Sequence, residues 1–517
     1  MIISPPVITP SEPPSGAFLL AAGLEARGIS AGFLDLSLEF FSYIFSKVPE
    51  GRGYPAVKSA LTYLRNNSNY NPGQHRTVSG VLNSALKSFS KGFPGWKISL
   101  MDLTPPSEVH KPEELLRICN QEVTPFSEFW EEYLLPILQE HLPKTVLLSL
   151  SYLSQLPAGI DLAEFLKSNG YRVITGGSLL NSLDRTGKGF DLLRRVLPET
   201  VLGDGSLLLG VETEDDSLLS RLSWPYMLNP WRYVSGRPVI PYALSTGCAW
   251  NKCLFCPDRK RKLSIFGKEV FEEFISTVPP SIMKQKPVIH LLDSTIPRKT
   301  LLDILPALKE KSLDFYGFIR PEKWISDQSD MLADHGCLML QLGAESGSYS
   351  LLDRFNKGID PETSLEVIRN CAGSGIRTYV YMLLGLPGET LEDLDASVSF
   401  LREAGNSIDF INFSIFNLPT NCELSDRADE FGIELVYDNS PEDVIRLYMP
   451  FLCEGQNPRI MARGFITEEL SRLPSVSKAQ LRTPKWFRTS HFPLIEIPGR
   501  ISHGAGSELI PGNDQKG

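Results

Sequence analysis

Short apolar segments alternate with helix-like segments through the second half of the chain, and this alternation restricts the fold more than any other feature. Six segments have the length and residue types of strands: 242–246, 288–294, 313–320, 338–346, 377–385 and 408–416. Helical patterns separate them, as at 298–310 and 361–374. Strands that alternate with helices form parallel sheets, and the loops after these strands are polar and rich in glycine, as at the active face of a barrel. The sequence predicts an α/β fold with a partial (β/α)6 barrel over residues 241–425.

A second alternating series precedes the barrel. Residues 16–35 have the pattern of a helix followed by a strand, and later segments continue the series: strands at 145–151, 171–177 and 199–205, with a helix at about 157–168. This pattern predicts a doubly wound, Rossmann-like domain over residues 1–210, interrupted by a mostly helical insertion at about 40–143. A connector at 211–240 rich in Trp and Pro joins the two domains. Residues 426–517 are predicted to form a C-terminal helical region ending in a disordered, Gly-rich tail.

Composition excludes several classes of function. A net charge of −10 argues against nucleic-acid binding, which needs a basic surface, and the single basic run at 258–262 is expected to be a solvated surface segment. There is no run of eighteen apolar residues, so no membrane association is predicted. The N-terminal residues lack the basic start and apolar stretch of a signal peptide, and a cytoplasmic location is therefore expected.

Three cysteines lie close together directly after the first predicted barrel strand. They are Cys248, Cys253 and Cys256, and no histidine is near them in sequence. Structural zinc sites use four ligands, whereas an iron–sulfur cluster held by three cysteines leaves one iron open to a substrate or cofactor. The carboxyl ends of barrel strands are where barrel enzymes do their chemistry. A catalytic cluster is favoured, and zinc with a distant fourth ligand and purely structural thiols remain alternatives.

The segment resembles the signature of the radical SAM enzymes. Their hallmark is C-x-x-x-C-x-φ-C in the loop after the first barrel strand, with an aromatic residue before the third cysteine. Phe255 occupies that aromatic position, and one extra residue stands between the first two cysteines. A loop can absorb one residue without displacing the ligands.

Further motifs support the same resemblance at the ends of later strands. In "QLGAESGS" (341–348), the resemblance implies that Glu345 contacts the ribose of S-adenosylmethionine (SAM), with Ser346 beside it. Asp293, after the second strand, is the candidate for the methionyl amine. Arg320, after the third strand, is the candidate for a carboxylate or ribose contact.

The fifth-strand motif "MLLGLPGET" (382–390) resembles the segment whose backbone packs on adenine in this family. The resemblance implies that role for Gly385, Pro387, Gly388 and Glu389. Glycine suits such a place because it allows the backbone to approach a planar base closely. Each motif alone is weak, but all of them follow successive predicted strands in the family's order.

The N-terminal half resembles the cobalamin-binding domain that is fused to many radical SAM enzymes. A P-P-x-G turn enters the first helix, and Ser151, Gly176 and Gly177 fall where the cofactor's nucleotide tail would lie. No D-x-H-x-x-G motif is present, so a bound cobalt would lack the usual histidine ligand. His75 and His110 are expected on the surface.

The resemblance implies a radical SAM enzyme with three cofactors: a [4Fe–4S] cluster, SAM and cobalamin. Such an enzyme cleaves SAM reductively to a 5′-deoxyadenosyl radical, and the cobalamin branch transfers a methyl group to an unactivated carbon. A small-molecule or peptide substrate and an electron donor such as flavodoxin or ferredoxin are expected partners. Two alternatives remain: a radical cyclase or rearrangement enzyme without methyl transfer, and a non-catalytic regulatory protein that binds an iron–sulfur cluster or zinc.

Overall fold

A computed structural model describes residues 1–51, 53–66, 71–119, 123–183, 185, 188–197, 199–203, 205, 208, 217–436 and 445–483. Its parallel sheets and flanking helices confirm the predicted α/β class. The Gly-rich tail predicted to be disordered lies outside the described residues, and the predicted domain boundaries stay predictions. None of the described helices combines the length and the apolar character needed to cross a membrane.

The N-terminal part is built on a four-stranded parallel sheet with strand order β2-β1-β5-β6. The strands of this part are β1 (Ile2–Ser4), β2 (Phe33–Asp35), β3 (Lys97–Ile98), β4 (Leu103–Thr104), β5 (Thr145–Ser149) and β6 (Arg172–Gly176). The helices are α1 (Ser15–Glu25), α2 (Leu36–Ser46), α3 (Gly53–Asn66), α4 (Pro72–Ser90), α5 (Pro112–Cys119), α6 (Ser127–Phe129), α7 (Leu135–His141), α8 (Leu156–Ser168), α9 (Ser178–Ser182) and α10 (Lys188–Val196). Helices α2 to α7 supply the predicted helical insertion, with the hairpin β3–β4 inside it.

In this part the sequence missed one strand, and two expectations were wrong. The sequence reading missed β1, whose three residues between the chain terminus and a Pro-Pro pair are too short for a periodic pattern. The strand expected at 199–205 is only a single parallel bridge between Thr175 and Thr200. His75 is 1% exposed inside the insertion and not on the surface, and its burial lowers its pKa to about 3.

The second part is a six-stranded, all-parallel sheet with strand order β14-β13-β12-β11-β10-β7. Its strands, with the two-stranded ladder β8–β9, are β7 (Val239–Tyr242), β8 (Ser245–Thr246), β9 (Ser264–Ile265), β10 (Val288–Leu291), β11 (Asp314–Ile319), β12 (Cys337–Glu345), β13 (Arg377–Leu384) and β14 (Phe410–Ile415). Its helices are α11 (Lys268–Thr277), α12 (Pro280–Met283), α13 (Arg298–Glu310), α14 (Lys323–Asp327), α15 (Ser329–Asp334), α16 (Tyr349–Arg354), α17 (Pro361–Gly373) and α18 (Leu391–Ala404).

Side chains alternate between two cores along the strands of this sheet. One residue from each of the six strands joins a small inner cluster: Val239, Val288, Tyr316, Met339, Tyr379 and Phe410. Their neighbours in sequence, such as Leu340 and Val380, pack in the larger core shared with the helices. Successive side chains of a strand point to opposite faces, so one set fills the inner cluster and the other packs against the helices on the outer face. The polar strand ends gather at one edge of the sheet.

The first barrel strand begins three residues earlier than the sequence predicted. β7 contains Pro241, a residue that normally argues against a strand because it cannot donate a backbone hydrogen bond. β7 is an edge strand of the sheet, where a missing donor is tolerated. The C-terminal part is small: β15 (Leu418–Pro419), β16 (Ile433–Leu435), β17 (Tyr448–Met449), β18 (Phe451–Cys453), α19 (Glu423–Asp426), α20 (Pro458–Glu468) and α21 (Pro474–Arg482).

Candidate functional site

A closed loop carries the three cysteines. Residues 247–263 leave the barrel edge after β8 and return through β9, and the antiparallel pairing of these two strands closes the loop at its base. Gly247 lies at this base with a φ of 77°. A Cβ there would lie 2.6 Å from the carbonyl oxygen of Lys262, so only glycine fits the base of the loop.

The middle of the loop is anchored by Leu254 and Phe255. The amide of Leu254 donates to the carbonyl of Phe355 at 3.1 Å, and its own carbonyl accepts from the amide of Leu424 at 3.0 Å. The ring of Phe255 packs edge-on against Phe355 and Phe416, with centroids 6.3 and 6.5 Å away. The aromatic residue of the signature therefore fixes the loop by packing, while the neighbouring cysteines stay half-buried.

The three cysteines are free thiols that affect one another's ionisation. Burial raises the pKa of Cys253, and burial followed by the Asp258 carboxylate raises that of Cys256 to about 12. A thiolate at Cys248 would raise both further, which places the three side chains within electrostatic range. Thiols of this kind ionise when a metal centre supplies the compensating charge.

Among the described residues, no three His, Cys, Asp or Glu side chains stand close enough together to hold one metal ion. The protein ligands of a four-iron cluster are spaced more widely than those of a single ion. Each cysteine binds a different iron, so the three cysteine sulfurs are farther apart. The loop carries three free, half-buried thiols, and three thiolates are the donor set of a cluster that keeps one iron open.

A buried network joins two of the predicted SAM residues beside the cysteine loop. Arg320 is 4% exposed, donates to the carbonyls of Lys357 and Gly358 at 2.7 and 3.0 Å, and lies over the Trp250 ring at 4.3 Å. The ammonium of Lys357 donates to the Glu345 carboxylate at 2.7 Å. Both cations lower the pKa of the neighbouring Cys253 and so favour the thiolate that a metal requires.

Glu345 and Ser346 have different environments. Glu345 adopts a φ of 65° at an irregularity in the pairing of β12 with β13, a conformation that costs a non-glycine residue free energy. Ser346 is 1% exposed and hydrogen-bonds the hydroxyl of Ser397 and the amide of Ser348. The structure thus holds Ser346 in a buried polar contact, and its role as a cofactor contact stays a prediction.

Asp293 hydrogen-bonds the chain segment that leads into the cysteine loop. Its carboxylate accepts from the Ser245 hydroxyl at 2.6 Å and from the Leu244 amide at 3.1 Å. Burial raises its pKa to about 6. The observed contacts fix the segment that leads into the loop, and a contact with the methionyl amine stays a prediction.

The segment 385–389 forms a tight turn after β13. Gly385 and Gly388 have φ values of 81° and 70°, and the Gly385 amide donates to the Glu389 carboxylate at 2.5 Å. The second oxygen of Glu389 is buried and has no hydrogen-bond partner among the described residues. Pro387 is buried beside it and Gly388 is exposed. Two glycines at positive φ explain the glycine pattern of the motif.

The buried carboxyl of Glu389 is expected to make stability depend on pH. Burial raises its pKa from an ordinary 4.5 to about 7. Between these two values the folded protein binds the proton more tightly than the unfolded chain, so this group's contribution to stability falls as pH rises through that window. Glu389→Gln should therefore increase the free energy of unfolding above pH 7, by on the order of 3 kcal/mol, and change little at pH 4.5. Urea unfolding of both proteins at the two pH values measures this, and an equal effect at both would contradict it.

A cavity of about 1280 Å³ lies between the N-terminal sheet and the cysteine loop. Its lining includes Ser151, Gly176 and Gly177, the three residues predicted to contact the nucleotide tail. It also includes Gly247 and Pro257, the immediate neighbours of Cys248 and Cys256 in sequence. Arg320, Glu345 and Gly385 are not part of this lining, so the buried network lies outside the cavity wall.

Gly177 is required by the shape of this wall. It has a φ of 115°, and a Cβ there would lie 2.2 Å from the carbonyl oxygen of Leu150. The sequence pointed to Gly177 through the glycine pair after β6. The sequence did not point to Lys357 or Trp250. Neither residue belongs to a motif, and each takes part in the site only through its contacts with other side chains.

The comparisons with known proteins agree with this geometry. Residues 242–401 match the model of the Radical SAM superfamily. An uncharacterized methyltransferase of Pyrococcus horikoshii is 27% identical over 187 residues, which are 34% of this chain and 39% of that protein. The bacteriochlorophyllide d C-8(2)-methyltransferase of Chlorobaculum tepidum is 27% identical over 219 residues, 40% of this chain and 48% of that protein. The matches thus span less than half of these relatives.

A solved structure extends the similarity of fold beyond the barrel. The radical S-adenosylmethionine methyltransferase TsrM of Kitasatospora setae, with cobalamin and a [4Fe–4S] cluster bound, superimposes with a TM-score of 0.50 at 13% identity. The match covers 91% of this chain and 89% of that chain. The three-cysteine loop at the carboxyl edge of the parallel sheet lies within residues 242–401, the region of the chain that matches the Radical SAM superfamily.

Proposed function

We propose that this protein is a cobalamin-dependent radical SAM methyltransferase that acts on an unactivated carbon of a small-molecule or peptide substrate. The observation that carries the proposal is the cavity between the two sheets. The lining of this cavity includes both the residues expected to contact a corrinoid and the base of the cysteine loop. Relatives named as methyltransferases support the same reaction. A flavodoxin or ferredoxin is proposed as the electron donor.

The residues fit the cofactors in the following way. Cys248, Cys253 and Cys256 would hold the [4Fe–4S] cluster, and Arg320, Glu345 and the 385–389 turn would contact SAM. When bound, the cluster and SAM supply the reductive cleavage that yields a 5′-deoxyadenosyl radical, and cobalamin supplies the methyl group. The chain's own contribution is to bind and orient these groups and to exclude water.

The cavity has the size and the walls for a corrinoid. Its volume of about 1280 Å³ exceeds the roughly 300–1,000 Å³ of pockets for drug-sized ligands. Gly16, Gly176 and Gly177 form part of one wall, where backbone without side chains lets a flat ring approach. Serines such as Ser149 and Ser151 supply hydroxyls for the amide groups at the ring's edge.

Anaerobic reconstitution with iron, sulfide and hydroxocobalamin, followed by SAM and a strong reductant, tests the proposal. Formation of 5′-deoxyadenosine together with retained cobalamin is expected. SAM carrying a deuterated methyl group should pass the label to the product once a substrate is supplied. Product without label would favour a radical rearrangement instead, and zinc without iron in the purified protein would contradict the enzyme assignment.

Enlarging Gly16 should block corrinoid binding without unfolding the protein. A Cβ at Gly16 would lie 3.5 and 3.6 Å from the hydroxyl oxygens of Ser149 and Ser151, ordinary contact distances. Gly16→Ala is therefore expected to bind hydroxocobalamin normally. Gly16→Phe would project into the cavity, and overpacking of this kind costs about 1–3 kcal/mol, so its affinity should fall about 10- to 100-fold. Equal binding by both variants, measured by absorbance after gel filtration, would show that the corrinoid lies elsewhere.

A further inference from the structure

The loop between β1 and α1 places Glu12 against the inner face of the barrel. The Glu12 carboxylate accepts a hydrogen bond from the Tyr316 hydroxyl at 3.0 Å and lies 3.1 and 3.2 Å from Nδ1 of His290. His290 and Tyr316 are register partners on β10 and β11. Building on the proposed function, we propose that Glu12 is a positioning residue: it sets where the cavity lining of the N-terminal part, here called the N-terminal wall, stands relative to the barrel.

The contact made by Glu12 is buried. Tyr316 is 0% exposed and belongs to the inner cluster of the barrel, and its ring stacks on that of His290 with centroids 4.3 Å apart. The side chains of Glu12 and His290 are only 14% and 11% exposed. A polar group is costly to leave unpaired at such a place, so the three side chains favour a single arrangement.

Glu12 and His290 each stand just before a part of the cavity lining. Glu12 shortly precedes Ser15 in the chain, and His290 shortly precedes Leu292; Ser15 and Leu292 both line the cavity. Burial raises the pKa of Tyr152, a third lining residue, and the charge of Glu12 raises it further. The Glu12 contact therefore joins the N-terminal side of the cavity to the barrel side close to the lining itself.

The rest of the loop is bound to the N-terminal part. The carbonyl of Pro5 accepts from the side-chain amide of Gln155 at 2.7 Å. The carbonyl of Val7 accepts from the Ser154 hydroxyl at 3.0 Å. These contacts make the loop one piece with the N-terminal wall, so fixing Glu12 to the barrel also fixes the wall.

Apolar packing also joins the two parts, but it does not fix a position as closely. Phe18 of α1 packs edge-on against Phe274 of α11 with ring centroids 6.2 Å apart, and both belong to the core that α1 shares with the barrel. Apolar burial is non-directional, whereas a hydrogen bond weakens steeply away from its preferred geometry. The Glu12 contact can therefore select one position among those that the apolar packing allows.

The position matters because the proposed reaction uses groups held by different parts of the chain. The cysteine loop, Arg320 and Glu345 belong to the barrel, whereas Gly176 and Gly177 of the cavity belong to the N-terminal part. A misplacement of about 1 Å at the reacting groups can lower a rate about 100-fold. A shift of the N-terminal wall would thus impair methyl transfer even with every cofactor contact intact.

Electron paramagnetic resonance of the full-length protein, reconstituted with iron, sulfide and hydroxocobalamin and then reduced, tests the proposal. The reduced cluster speeds the relaxation of cob(II)alamin to a degree that falls steeply with the distance between them. E12A should alter this relaxation and bind hydroxocobalamin about tenfold more weakly. E12Q can still accept from Tyr316 and should restore most of both. E164A is the matched control: it removes an exposed glutamate of the N-terminal part, paired with Lys167, and should match the wild type.

Y316F gives a second test should E12A fold poorly by circular dichroism. It removes the hydroxyl that donates to Glu12 and keeps the ring that stacks on His290. It should change the relaxation in the same direction as E12A. The double variant E12A/Y316F should change it little beyond E12A, because both substitutions remove the same contact.

Two results would overturn the proposal. One is wild-type relaxation and affinity in E12A. The other is weaker hydroxocobalamin binding in E12A with unchanged relaxation of the bound corrinoid, which would leave Glu12 a purely structural role. If the wild type binds no hydroxocobalamin, the proposed function fails separately, and hydrogen exchange of the amides at 5–14 in the corrinoid-free protein decides the role of Glu12. Faster exchange in E12A than in E164A would support the fixing of the wall, and equal exchange would refute it.

Discussion

Conversion of Cys253 to serine is expected to abolish formation of 5′-deoxyadenosine and to remove most of the iron from the reconstituted protein. A serine hydroxyl stays protonated where a thiol ionises and binds iron, so the cluster would lose one of its three protein ligands. Cys253 is also the thiol whose ionised form Lys357 and Arg320 favour. Iron and sulfide content, the cluster's visible absorption and the amount of 5′-deoxyadenosine measure the effect.

Cys422→Ser is the matched control for this change. Cys422 is buried in the small cluster behind Phe255, and its sulfur donates to the Pro419 carbonyl at 3.4 Å. A hydroxyl can donate to the same acceptor, so this variant should keep its iron and its activity. Full iron content in Cys253→Ser, or equal loss in both variants, would contradict the assignment of the cluster to the 247–263 loop.

The barrel could be predicted from the sequence because its signals are local. The helices expected at 298–310 and 361–374 occur as Arg298–Glu310 and Pro361–Gly373. α17 begins after Asp360, whose carboxylate accepts from the Thr363 amide, and Pro361 stands at the first helical position. Every later barrel strand lies within the apolar segment that predicted it or begins one residue before it. The local pattern did not predict the start of β7 or the presence of β1. Pro241 is tolerated in β7 only because β7 is an edge strand, and β1 is too short to show a period.

The chemistry of the candidate site was predictable in part. The three cysteines and the strand-end motifs could be recognised from spacing and order. The pairing of Glu345 with Lys357 and the stacking of Arg320 on Trp250 could not, because these contacts depend on how separate loops meet. The basic run was predicted to be a solvated surface segment, and Lys260, Arg261 and Lys262 are indeed exposed, but only the fold shows that they also line the cavity.

Variants of the Glu345–Lys357 ion pair should separate the effect of these residues on stability from their effect on cofactor binding. The two side chains are only 13% and 7% exposed, and breaking a buried pair costs about 3–5 kcal/mol because one charge is left unpaired. Glu345→Gln and Lys357→Met should each lower the free energy of unfolding by about that amount. The double variant leaves no unpaired charge and should recover most of the loss. Glu199→Gln, which breaks the exposed pair with Arg172, should cost about 0–1 kcal/mol.

SAM binding should not recover in that double variant. A carboxylate at Glu345 would accept hydrogen bonds from the ribose hydroxyls, and hydrogen bonds to a charged group are worth about 1.5–3 kcal/mol, so SAM affinity should fall about 10- to 100-fold while stability returns. Urea unfolding gives the first quantity, and the change in the cluster's electron paramagnetic resonance spectrum on adding SAM gives the second. Wild-type SAM affinity in a stable double variant would show that Glu345 serves only to neutralise Lys357. A residue with that role alone becomes dispensable once the buried ammonium is gone.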